Sequence, residues 1–166
     1  MRRLKILHIE DSEEDLVLFR RACEAADLPA EFYRVRDGFE AVAYLKGGGN
    51  FVDRSKNPLP DLIVLDLKMP GMGGFDFLKW LRGEPGHLSL PVLIFTVSAN
   101  AEDKARAIQE GATGYFVKPK DFETLVRLTE SFRKFSGDGR DKGEAQRGLL
   151  RASDRNSVNF LRAPGE

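Results

Sequence analysis

At 166 residues, with a formal net charge of zero from 26 basic and 26 acidic side chains, the chain has one domain's length and no global attraction to nucleic acid or a membrane. Its 42% hydrophobic content supports a proper core, while a single cysteine, Cys23, excludes an internal disulfide and fits a reducing cytosol. No stretch approaches the roughly 18 apolar residues that span a bilayer, and the start MRRLKILHIED runs into acid too early for a signal peptide, so a cytoplasmic location is expected.

The first element, LKILHI (4–9), is a near-continuous apolar run, as is usual for a strand covered on both faces of a parallel sheet. His8 within it reads as a core histidine. Ser12 then offers an N-cap to a helix whose first turn is acidic and whose Leu16, Phe19, Cys23 and Ala26 recur on one face. AEFYRVR (30–36) is more polar and suits an edge strand. Asp37 with Glu40 forms a capping-box pattern at the start of GFEAVAYLK. KGGGNFVDRSKNPLP (46–60) follows, rich in Gly, Asn and Pro and longer than an ordinary helix-to-strand loop.

DLIVL (61–65) is the third strand, and Phe77, Leu78 and Leu81 mark the buried side of a third helix, with Trp80 expected to pack. His87 falls in a loop. PVLIF (91–95) and AEDKARAIQEG (101–111), closed by Gly111, make the fourth pair; GYFV (114–117) and FETLVRLTESFRKF (122–135), capped by Asp121, make the fifth. Five strand–helix pairs imply a doubly wound (βα)5 sandwich, flavodoxin-like, around a central five-stranded parallel sheet. It occupies residues 1–135, and the charged, glycine-bearing remainder, 136–166, reads as a flexible tail.

Open α/β sheets bind ligands beyond the carboxyl ends of their strands. Those positions hold Glu10 and Asp11 after the first strand, Asp66 after the third, Thr96 after the fourth and Lys118 after the fifth. Each alone has an ordinary explanation as a turn former, strand residue or solvated side chain. Together they gather three carboxylates, a hydroxyl and an ammonium on one rim. Carboxylates this close repel unless a cation sits among them, and oxygen-only ligands suit Mg²⁺. Lys118 and Thr96 add a charge and a donor for a tetrahedral anion, so phosphoryl transfer to a carboxylate is the natural chemistry.

The motifs HIEDSEEDL, LIVLDLKMPGMGGFDFL, PVLIFTVS and GATGYFVKPKD, spread over residues 3–135, together resemble the response-regulator receiver domain of two-component signalling. The resemblance implies that Asp66 is the phosphoacceptor, and that Glu10, Asp11, Asp66 and the Lys68 carbonyl hold Mg²⁺. It further implies that Lys118 contacts the phosphoryl group, that Thr96 and Tyr115 act as switch residues, and that the Lys118–Pro119 bond is cis. The long 46–60 segment and the lack of a second folded domain are similar to the single-domain regulators that partner bacterial phytochromes, implying a sensor histidine kinase as donor. Gly73, Lys68 and Val97 depart from common family residues and bear on the lifetime of the phosphoryl group.

Two rival readings remain. An aspartate-nucleophile phosphatase of the haloacid-dehalogenase type normally wants an acid two residues after its nucleophile, where this chain has Lys68. A receiver-like scaffold would bind partners without phosphorylation. In the receiver reading the protein is a signalling phosphoacceptor rather than an enzyme. The output surface is then the fourth helix, fifth strand and fifth helix, with Tyr115 turning inward behind Thr96. Leu128 and Phe135 extend the apolar face of the fifth helix in a way that suits a homodimer or partner contact. The sequence after residue 135 offers no DNA-binding helix pair and no basic stripe, so direct transcription-factor activity is not expected.

Overall fold

The apolar runs become strands whose alternate side chains serve two separate cores. In the computed structural model, which describes residues 2–136, β1 (Leu4–Ile9), β2 (Ala30–Val35), β3 (Leu62–Leu65), β4 (Val92–Thr96) and β5 (Gly114–Val117) form one sheet in the order β2-β1-β3-β4-β5. Every neighbouring pair is parallel. Ile63, Leu65 and Ile94 point to one face with Tyr44, Phe77 and Leu81; Leu62, Val64 and Leu93 point to the other with Phe19, Cys23 and Leu125. The helices therefore divide. α1 (Glu13–Ala25) and α5 (Phe122–Glu130) cover one face, while α2 (Gly38–Lys46), α3 (Gly74–Gly83) and α4 (Ala101–Gln109) cover the other.

Strand β2 lies at the edge, and its four central residues are only half-buried, as its polar sequence requires. Helix starts follow the expected chemistry. Ser12 Oγ accepts from the Asp15 N–H, Asp37 Oδ1 from Glu40 and Asp121 Oδ2 from Thr124. The capping box at α2 is displaced by one residue, because the Glu40 carboxylate accepts from the Arg36 N–H at 3.0 Å. Segment 46–60 is anchored by Arg54, which donates to the Tyr44 and Leu45 carbonyls at 2.7 Å each and so closes the C-terminus of α2.

Three expectations are corrected. The fifth helix ends at Glu130 and continues as a 3₁₀ turn over Ser131–Phe135. There Thr129 Oγ1 and Ser131 Oγ donate to the Val126 and Leu128 carbonyls at 2.8 and 2.6 Å, giving those acceptors a local alternative to the helical ladder. Leu128 is not part of a surplus surface. It is buried with Phe19, Leu125 and Phe132, because α5 packs on both the sheet and α1 and so needs two apolar directions. Phe135 is partly buried against the same cluster. No cis peptide bond occurs among the described residues, so Lys118–Pro119 is trans, the isomer that X–Pro bonds prefer by about 0.5–1 kcal/mol. The tail expected over 136–166 lies, beyond Ser136, outside the described residues.

Candidate functional site at the strand ends

The switch point of the sheet lies between β1 and β3, where consecutive connections leave in opposite directions. Ile9 is in register with Leu65 there, so Glu10 and Asp66 emerge side by side. The Asp66 N–H donates to the Ile9 carbonyl at 3.1 Å and the Glu10 N–H to Val35 at 3.1 Å, fixing both backbones. On β4, the neighbour of β3, Thr96 is paired with Val117 of β5, and the Lys118 N–H donates to the Thr96 carbonyl at 2.7 Å. The turn after β3 is tight. A Cβ on Gly74 would lie 2.5 Å from the Asp66 carbonyl oxygen, so only glycine lets α3 start this close to the site.

Glu10 and Asp66 are buried, and Lys118 answers them. Its Nζ donates to Glu10 Oε2 at 3.1 Å, to Asp66 Oδ2 at 3.1 Å and to Asp15 Oδ2 at 2.6 Å. The other Asp66 oxygen, Oδ1, accepts from the Lys68 N–H at 3.1 Å. Burial and the Asp66 charge push the Glu10 carboxyl up to about 7 against the pull of Lys118. Burial alone would lower the Lys118 ammonium, but its bond to Asp15 and the Asp66 and Glu10 charges outweigh this and hold it above the ordinary lysine range. Lysine stays charged here at any physiological pH.

Asp11 is exposed at the mouth, and Glu10, Asp11 and Asp66 each offer an oxygen, all within 4.8 Å of one another. Carboxylate oxygens at such spacing, beside open solvent, fit a hard divalent cation that retains several waters. Asp15 is the partner that strand-end reading misses. It lies a helical turn beyond the strand, where helix-start chemistry already explains an acid.

Thr96 is buried, and its Oγ1 accepts from the Ser98 N–H at 3.3 Å. Ser98 gathers further contacts: its carbonyl accepts from the Tyr115 hydroxyl at 2.8 Å, and its Oγ donates to Asp103 in the first turn of α4 at 2.6 Å. Tyr115 is therefore already turned inward, contrary to the expectation of an outward ring that moves in. Burial raises its phenol, which keeps it a donor. Within α4 only Ala107 is buried, and Arg106 lies 4.2 Å over the Phe75 ring. Lys68 and Val97 are exposed at the rim. Cys23 and His8 are core residues, and Trp80 packs near Phe77 and His87. No described helix is long and apolar enough to cross a membrane.

The sequence pattern of the response regulator receiver domain matches residues 6–130. The response regulator Rcp1 of Synechocystis sp. is 28% identical over 78% of this chain and 86% of its own length. The phosphorylated cyanobacterial phytochrome response regulator RcpA superposes with a TM-score of 0.72 at 29% identity, over 81% of this chain and 94% of that one. A Mn²⁺-bound structure of response regulator Rcp1 gives 0.70 at 26% identity, over 82% and 96%. The chain belongs to the response-regulator receiver-domain family of two-component signalling.

Proposed function

We propose that Asp66 accepts a phosphoryl group from the phosphohistidine of a sensor histidine kinase, of the phytochrome type that the similarity to RcpA suggests. The observation that carries this reading is the Lys118 ammonium placed 3.1 Å from both Asp66 and Glu10, at the ends of three strands of one sheet. An Asp66 carboxylate oxygen attacks phosphorus, the P–N bond breaks, and its electron pair leaves with the imidazole. Lys118 stabilises the negative charge that stays on the phosphoryl oxygens, and the Lys68 N–H holds the second carboxylate oxygen in line. Glu10, Asp11, Asp66 and the Lys68 carbonyl would hold Mg²⁺, which supplies further charge neutralisation when bound. The chain acts as a signalling phosphoacceptor, not as a turnover enzyme.

Readout falls to α4, β5 and α5. Thr96 drawn toward a phosphoryl oxygen pulls on Ser98, and Ser98 holds both the Tyr115 hydroxyl and the Asp103 carboxylate of α4. With a single buried side chain, Ala107, α4 costs little to move. A histidine-kinase partner and a homodimer both fit such a surface, although Leu128 is not available to either.

Incubation with acetyl phosphate and Mg²⁺, followed by intact mass measurement, tests the proposal. A gain of one phosphoryl group is expected; an unchanged mass would favour a phosphorylation-independent scaffold. Asp11→Asn is expected to weaken divalent-metal affinity on the order of tenfold, because it removes one formal charge from a hard-cation site. Calorimetric titration with Mn²⁺ or Mg²⁺ reads this directly, and equal affinities would displace the metal from the acidic pocket.

A further inference from the structure

The first turn of α1 carries three acids, Glu13, Glu14 and Asp15. The helix dipole accounts for all three equally. Asp15 does something more. Its Oδ2 takes the shortest bond Lys118 makes, 2.6 Å against 3.1 Å to Glu10 and 3.1 Å to Asp66, across 103 positions of sequence.

An ammonium has three N–H donors, and here each has a carboxylate. A phosphoryl group on Asp66 takes over the donor that Asp66 Oδ2 now holds, and a second ammonium contact to its oxygens requires Glu10 or Asp15 to give way. Glu10 is 1% exposed and has no water to replace the lysine, whereas the Asp15 side chain is 34% exposed and can be resolvated as it lets go.

We propose that Asp15 is a positioning residue for Lys118: it holds the ammonium toward α1 while Asp66 is unmodified and competes with the phosphoryl group for it. This rests on Asp66 being the phosphoacceptor. Asp15 thereby sets how readily Asp66 is charged, and its release unties α1 from the end of β5 when charging occurs.

The test compares wild type, Asp15→Asn, Asp15→Glu and Glu14→Gln. Each is measured for phosphoryl uptake from acetyl phosphate, in which the P–O bond breaks and its electron pair leaves with acetate, and for beryllofluoride affinity with Mg²⁺ present. Asp15→Asn is expected to raise both by about three- to fivefold, the scale of one partly screened ion pair. Glu14→Gln removes the same charge from the same helical turn without touching Lys118 and is expected to change them by less than about twofold. Asp15→Glu is expected to return toward wild type.

The Lys118 side-chain nitrogen resonance supplies a readout that a merely structural role would not move. Asp15→Asn is expected to shift it in the unloaded protein and to leave it unshifted with beryllofluoride bound, when Asp15 has already let go. Equal effects of Asp15→Asn and Glu14→Gln, slower uptake in Asp15→Asn, or an unshifted resonance in the unloaded state overturns the proposal while the phosphoacceptor reading stands. A wild type that takes up neither phosphoryl nor beryllofluoride overturns both.

Discussion

Asp66→Asn is expected to reduce phosphoryl uptake from acetyl phosphate to nothing measurable on intact protein, while the chain remains folded. The carboxylate supplies two equivalent oxygens; one is held by the Lys68 N–H at 3.1 Å and the other by Lys118 at 3.1 Å. An amide keeps an acceptor for the Lys68 N–H but offers Lys118 an NH2 group, and its oxygen is a poor nucleophile toward phosphorus. The loss of one ion pair is offset in part by relief at Glu10, whose carboxyl is pushed up to about 7 by burial and by the Asp66 charge. Thermal unfolding of the variant should therefore stay within a few degrees of wild type, roughly the shift of a 1 kcal/mol change in a domain of this size. Phosphoryl mass that persists in Asp66→Asn would move the acceptor to Glu10, Asp11 or Asp15 and undo the reading of the site.

Most of this geometry is legible in the amino-acid order because a doubly wound sheet converts strand ends into neighbours. Near-continuous runs such as LIVL (62–65) reveal strands covered on both faces, and the residues after them, Glu10, Asp66, Thr96 and Lys118, then share a rim by topology alone. What stays hidden depends on side-chain reach. Asp15 touches Lys118 only because α1 starts over the end of the sheet, and a first-turn acid needs no second explanation. Arg54 closes α2 from inside the Gly/Asn/Pro-rich segment, a contact with no local periodicity to announce it. Leu128 lies at the edge of the apolar stripe on α5, and whether such a position meets solvent or α1 depends on how two helices pack. The inward Tyr115 is equally invisible, since its bond to the Ser98 carbonyl is set by the path of the loop after β4.

His8→Leu is expected to remove a large part of the acid sensitivity of the fold. His8 is fully buried on β1, its ring 4.8 Å from that of Phe19, and neither nitrogen has a hydrogen-bond partner among the described residues. Burial is the main force that lowers its basicity, and the positive charges of Lys118, Arg20 and Arg34 add to it, bringing the group from an ordinary 6.5 down to about 3. The native state thus keeps His8 neutral where the unfolded chain protonates it. Between those two values the unfolded state binds more protons, so its contribution to stability is intact above about 6.5 and is lost progressively as the pH falls toward 3. The slope from this one group approaches about 1.4 kcal/mol per pH unit. Leucine has similar bulk, suits an apolar site between Phe19 and the sheet, and cannot titrate. Urea unfolding from about pH 7.5 to about pH 4.5 should show the gap between His8→Leu and wild type widen by roughly 2–3 kcal/mol in favour of the variant. The carboxylates of the site titrate in both proteins and cancel from that difference, so curves that run parallel across the range would mean that His8 is protonated in the native state.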